Sequence, residues 1–269
     1  MKLKILVDNN TFINKYYLGE PAVSYYIEDG DTKILFDTGY SDAFIKNAEK
    51  MDIDLEKLDK IVLSHGHNDH TGGLKYFFEN VKNQNIELIA HNDCFNHKIR
   101  DNNIYIGTSM KEDELRNVCR LNLIKNSTKI SENIYYLGEI PEFNDFEKRQ
   151  PVGKCEFGNE FVDDILNEDT AIVYKGNKGL FIITGCSHSG ICNIIEYAKK
   201  VCNENRIYGV IGGFHLFHTN ERLQKTIEYF KENSIELLYP CHCVSLEAKI
   251  EMGKQIKINE VGVGLEIIL

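Results

Sequence analysis

The chain is poor in several features, and each scarcity excludes something. It has only 4 prolines in 269 residues and no composition shift that would mark a linker, so a single domain over residues 1–269 is expected. Basic charge is scarce as well. With 31 Lys and Arg against 41 Asp and Glu, the formal net charge is -10 and the pI is near 5.4. That balance opposes a broad nucleic-acid footprint, which requires a basic stripe, while leaving enough local cations to hold one phosphate. No long apolar run opens the chain: Met1-Lys-Leu-Lys-Ile-Leu-Val7 stops at Asp8, too short for a signal core or a membrane span. A cytoplasmic protein without a membrane partner is expected, and nothing in the chain indicates its oligomeric state.

The 8 cysteines show no repeated short spacing, so a disulfide framework is not expected. Cys94, Cys119, Cys155, Cys192 and Cys202 read as structural thiols. Cys186, Cys241 and Cys243 flank histidines and are harder to set aside. Cys241-His-Cys243 lacks the second ligand pair that a zinc knuckle needs.

What the chain does have is Leu63-Ser-His65-Gly-His67-Asn-Asp69-His70-Thr-Gly-Gly73, directly after the apolar run Lys60-Ile-Val-Leu63. Four ligand-type side chains within six residues form a strong metal signal where a lone His-x-His would be a weak one. His65 and His67, two apart, can address one cation, and Asp69 with His70 a second beside it. Two adjacent metals can generate hydroxide near neutral pH and hold a substrate oxygen. Zinc, manganese and iron all accept imidazole plus carboxylate, so residue type alone does not choose among them, and zinc is the first expectation; the mixed ligand set argues against calcium.

Alternation and turn residues predict strands at 3–7, 24–28 and 33–36, the last two joined by Asp29-Gly30-Asp31 as a hairpin. Helical spacing follows at 42–51 and 73–81, with a strand at 60–64 between them. Strand and helix signals recur at 86–90, 180–184, 191–202, 207–211, 223–233 and 235–239, before a last helix near 246–252. By themselves these say α/β. His65, His188, His215 and His242 each fall just beyond a strand-like run, where loops at one sheet edge gather. Residues 95–168 are irregular and polar, and read as an inserted cap. Lys148 and Arg149 are its foremost anion contacts, with Lys98, Arg100 and Arg120 as further candidates.

The chain resembles the metallo-β-lactamase superfamily, whose signature is His-x-His-x-Asp-His at a strand end. Val7-Asp-Asn-Asn10, Leu35-Phe-Asp-Thr-Gly39, Gly138-Glu-Ile-Pro141, Gly185-Cys-Ser-His-Ser-Gly190, Gly212-Gly-Phe-His-Leu216 and Pro240-Cys-His-Cys243 narrow the resemblance. They are similar to a branch labelled 7,8-dihydropterin-6-yl-methyl-4-(β-D-ribofuranosyl)aminobenzene 5′-phosphate synthase. The resemblance implies a four-layer αββα sandwich, two divalent metals, and ligands His65, His67, Asp69, His70 and His242. The usual Gly-His-Thr-Pro-Gly segment is missing, so either Asp169 replaces the absent histidine or the first site is weak. A Gly-Cys pair replaces the usual Gly-Asp, leaving His188 or Cys186 as the ligand there, with His188 preferred because a bridging thiolate is oxidation-prone. Glu168 and Asp164 are lesser carboxylate candidates.

Asp69 and His215 are the expected catalytic groups, Ser187, Ser189 and Arg149 the expected substrate contacts, and Asp37 the acceptor that holds the metal loop. The start of the helix after Gly190 offers backbone N–H groups to a substrate anion. Together these point to a metal-dependent hydrolase or transferase acting on a small phosphorylated or pterin-like molecule. A phosphodiesterase or lactonase, or a non-catalytic ligand-binding or sensing protein on the same fold, is the competing reading.

Overall fold

The computed structural model describes residues 1–83 and 85–269. They form two compact units, the first made of Met1–Lys125, Pro151–Glu168 and Gly262–Leu269, the second of Asn126–Gln150 and Asp169–Val261.

The first unit is built on a seven-stranded sheet ordered Glu266–Ile268, Lys2–Val7, Ser24–Asp29, Thr32–Phe36, Lys60–Val62, Glu87–Ala90 and Arg120–Leu123. The first four strands pair antiparallel, with the predicted hairpin turning at Gly30 (φ 60°). From Thr32–Phe36 onward the pairing is parallel. Parallel neighbours require crossovers, which the helices Ala43–Lys50 and Leu74–Asn80 supply. Their apolar residues Ala43, Phe44, Ala48, Leu74 and Phe77 are buried with Leu35, Ile61 and Leu88 of the sheet. Each leucine, isoleucine or phenylalanine among them contributes about 1.5–3 kcal/mol by leaving water.

The second unit repeats the scheme with six strands, ordered Leu237–Pro240, Ile207–Gly212, Gly179–Thr184, Ala171–Gly176, Ile134–Tyr136 and Thr128–Lys129. The first three are mutually parallel and the rest antiparallel. Helix Ile191–Cys202 buries Ile191, Ile194, Ile195, Ala198 and Cys202, a stripe at helical spacing. Asn220 and Ser245 begin the helices Glu221–Glu232 and Leu246–Gln255 by accepting from the backbone N–H groups of Leu223 and Ala248.

Residues 95–168, expected as one inserted cap, are shared among three sheets. Arg120–Leu123 extends the first unit's large sheet, and Thr128–Lys129 with Ile134–Tyr136 extend the second unit's. Lys98–Arg100, Ile104–Tyr105, Lys154–Phe157 and Glu160–Asp163 make a small four-stranded sheet within the first unit. Strands of two to four residues are too short to show a period in the sequence. None of the 8 cysteines among the described residues is in a disulfide, and Cys94, Cys155, Cys192 and Cys202 are buried as expected. No helix is long and apolar enough to cross a membrane.

Candidate metal centre

In both units the chemistry-bearing residues lie immediately past the C-terminal ends of parallel strands, where the backbone must leave the sheet and loops collect. In the first unit Asp37 follows Phe36, and Ser64 and His65 follow Val62 by two steps and three.

Asp37, fully buried, is the hub. Its Oδ1 accepts from the Ser64 backbone N–H at 2.7 Å, and its Oδ2 from the Ser64 hydroxyl at 2.7 Å and from His70 Nδ1 at 2.7 Å. A carboxylate beside these donors accepts, so His70 carries its proton on Nδ1 and presents Nε2 as a ligand atom. The same logic sets His65. The one Ser64 hydroxyl hydrogen goes to Asp37, so the Oγ accepts from His65 Nδ1 at 3.0 Å and the His65 lone pair sits on Nε2.

His65 Nε2 is 3.2 Å from His67 Nδ1. Two nitrogens sharing one tetrahedral zinc lie about 3.3 Å apart at ordinary Zn–N lengths. Asp69 Oδ2 is 3.7 Å from His70 Nε2. The four side chains therefore gather as the two pairs expected from their spacing. Burial lowers the His67 pKa to about 4 from 6.5, against the opposing pull of Asp69, so the ring is held in the neutral, metal-binding form. His65 and His70 are fully buried, whereas the Asp69 side chain is 30% exposed. This donor set fits a divalent metal.

In the second unit the loop 185–190 follows strand Gly179–Thr184, His215 follows Ile207–Gly212, and His242 follows Leu237–Pro240. Ser187, His215 and His242 all hold positive φ (58°, 49° and 49°), a conformation that costs non-glycine residues roughly 1–3 kcal/mol and collects at functional loops. The His188 and His215 rings lie 4.4 Å apart, and His215 packs edge-on against Phe217 at 4.8 Å. Cys243 Sγ accepts from the His215 backbone N–H at 3.3 Å and contacts the Cys186 carbonyl at 3.5 Å, tying the three loops together. Cys186, His188 and His242 are all buried and metal-capable.

The sequence profile of the metallo-β-lactamase superfamily matches residues 18–90. A 7,8-dihydropterin-6-methyl-4-(β-D-ribofuranosyl)-aminobenzene-5′-phosphate synthase of Methanocaldococcus jannaschii is 32% identical, over 96% of this chain and 92% of that one. The chain belongs to the metallo-β-lactamase superfamily. An uncharacterised protein of the same organism is 35% identical over 94% of both chains. Among solved structures, the metal-dependent hydrolase Tm1679 of the β-lactamase superfamily superposes with a TM-score of 0.86 at 29% identity, covering 100% of this chain and 99% of that one. The α/β class expected from the strand and helix order, and the metallo-β-lactamase fold that the resemblance implied, are the fold observed.

A sequence expectation for this superfamily member changes, and other site residues carry hydrogen bonds that the sequence did not show. The helix start after Gly190 is not open to a substrate anion. The buried Glu147 carboxylate accepts from the backbone N–H groups of Cys192 at 3.0 Å and Asn193 at 2.9 Å. Gly190, at φ 93°, permits this approach, since a Cβ there would come within 2.5 Å of Glu147. Asp169 Oδ2 is taken by the Ser189 N–H at 2.9 Å and hydroxyl at 2.5 Å, and the Ser187 hydroxyl by the Gly213 carbonyl at 2.7 Å. Burial pushes the Asp169 pKa up, against these hydrogen bonds. Arg149 donates to the Ile140 carbonyl at 2.9 Å.

Lys98 is no solvent-facing anion contact. It is fully buried between Asp164 and Glu168. Sequence reading missed Ser64 as the link among Asp37, His65 and His70, although a hydroxyl residue between a strand and its first histidine was the available signal. It missed Glu147 altogether, because no local pattern joins residue 147 to a helix that begins at residue 191.

Proposed function

We propose that the chain is a metal-dependent enzyme that uses a binuclear centre on a small phosphorylated or pterin-like substrate. The ligands proposed are His65, His67, Asp69 and His70, and the family resemblance adds His242 and His188, with Cys186 as the alternative to His188. Zinc is the first candidate metal. The observation that carries the reading is the Asp37–Ser64–His65/His70 network, which fixes two imidazoles in the ligand tautomer behind a buried pair of convergent ring nitrogens. The substrate class is supported by the relative named as a dihydropterin phosphate synthase.

Bound metals would supply an activated water near neutral pH and polarise a substrate oxygen. The chain's own residues do the rest. Asp37 holds His70 in its tautomer, Asp69 is the solvent-facing carboxylate of the four and can take a proton, and His215, half-buried against His188, can return one. Asp169 holds the 185–190 loop through Ser189 and serves as its anchor.

The test is elemental analysis of protein purified without chelator or metal column, beside a His65→Ala/His70→Ala control. About two metals per chain, lost in the control, is the expected result. Phosphate esters and pterin compounds are then screened in ¹⁸O-labelled water, where label in the product identifies hydrolysis and unlabelled product identifies transfer. Metal-loaded protein that binds such compounds without turnover would support the ligand-binding reading instead.

A further inference from the structure

Lys98 has no exposed surface, and its ammonium lies 2.8 Å from Asp164 Oδ2 and 2.7 Å from Glu168 Oε1, two carboxylates that are themselves buried. Burial pulls the Lys98 pKa down, and the two carboxylates more than reverse it, so the ion stays charged. Buried charge clusters of this kind seldom add net stability over an apolar filling, but they fix geometry. What this one fixes is visible in the contacts of its stem and backbone.

The stem lies directly under the metal turn. A Cβ on Gly66 would come within 2.9 Å of Lys98 Cε and within 2.2 Å of the Cys94 carbonyl, so only glycine lets the turn settle there. On the other side, the Lys98 carbonyl accepts from the Ile106 N–H at 3.0 Å, and the Ile106 carbonyl accepts from the Asn68 N–H at 2.8 Å. Gly66 and Asn68 are the two chain neighbours of His67. Both rest on Lys98, one through its side chain and one through its strand.

We propose that Lys98 is a positioning residue for metal binding: clamped by Asp164 and Glu168, it holds the backbone on both sides of His67 and so aims that imidazole. The inference rests on the metal-centre reading above. It concerns a residue that touches neither metal nor substrate and lies thirty-one positions beyond His67 in the chain.

The experiment is zinc binding to full-length protein by chelator competition, well below the melting temperature, for wild type, Lys98→Met and Lys60→Met. The last breaks an ion pair with Glu87 elsewhere in the first unit. Cobalt(II) titration gives the absorption spectrum of each binding step. In Lys98→Met, one of two binding steps weakens by about 10- to 100-fold and its cobalt spectrum changes, as supporting groups behind metal ligands typically produce. The other step and both steps in Lys60→Met stay at wild-type affinity.

If Lys98→Met fails to fold, the charge-free variant Lys98→Met/Asp164→Asn/Glu168→Gln takes its place, with the same weakening expected. Wild-type affinity and spectra in the folded variant overturn the proposal while leaving the metal-centre reading in place. Wild-type protein that binds no zinc removes both.

Discussion

In the first unit the metal-capable side chains come from a single turn of six residues braced by one buried carboxylate. In the second they come from three separate strand ends held in positive-φ conformations. The contrast shows two ways of gathering metal-capable side chains. Local sequence places the first set, because His-x-His and Asp-His fall on adjacent steps of one turn, and Asp37 and Ser64 then only need to orient the rings. The second set depends on the sheet, since parallel pairing of Gly179–Thr184, Ile207–Gly212 and Leu237–Pro240 brings their C-terminal ends level. The first arrangement should be intolerant of ligand loss and the second of loop disturbance.

The sharpest break of that comparison is ligand removal in the first unit. His67→Ala or Asp69→Ala should lower metal-dependent turnover by more than about 100-fold while circular dichroism stays native, since losing a direct ligand exceeds the usual effect of losing its support. Full activity in either variant would refute the assignment.

Proton competition should be next in size. Burial depresses the His67 pKa to about 4 from 6.5, so the unfolded chain binds a proton more readily than the folded one between those values. Stability of the metal-free protein therefore falls as pH drops from 6.5 towards 4, by roughly 3 kcal/mol from this residue. Urea unfolding across that window should show the slope, and His67→Gln should flatten it.

Asp37→Asn keeps the shape of the hub but weakens its acceptor, and metal affinity should fall by about 10- to 100-fold. Chelator competition measures it, and unchanged affinity would show that the ring tautomers are set by other means. In the second unit the corresponding change has a different signature. Asp169→Asn should cost about 1–3 kcal/mol of stability through Ser189 while metal stoichiometry is retained. Loss of a metal in that variant would instead make Asp169 a ligand, as its place in the sequence first indicated.

The smallest effect concerns the thiols. Burial pushes the Cys94 and Cys192 pKa values well up, so neither should react with iodoacetamide at neutral pH until the protein unfolds. Mass-spectrometric labelling of native protein checks this.

How much was legible depended on how far apart the cooperating residues stand. The turn 63–73, the hairpin at Asp29-Gly30-Asp31 and the helix Ile191–Cys202 are local patterns, and each is found where periodicity or turn chemistry indicated. Helix Glu221–Glu232 starts two residues earlier than its apolar pattern suggested, because Asn220 caps it. Strands such as Ile134–Tyr136 and Lys154–Phe157 escaped notice because three or four residues are too few to show a period.

The sequence by itself determined that this chain carries a ligand cluster on a strand-ending turn in an α/β fold, because ligand spacing and apolar periodicity are properties of neighbours along the chain. Tertiary structure alone decided that Glu147 closes a helix start, that Asp169 holds Ser189, and that Lys98 lies buried beneath the metal turn between Asp164 and Glu168. Each of those outcomes couples residues twenty or more positions apart. Which buried donor meets which acceptor is then settled by packing and by the need to satisfy every buried charge, neither of which leaves a local trace in the sequence.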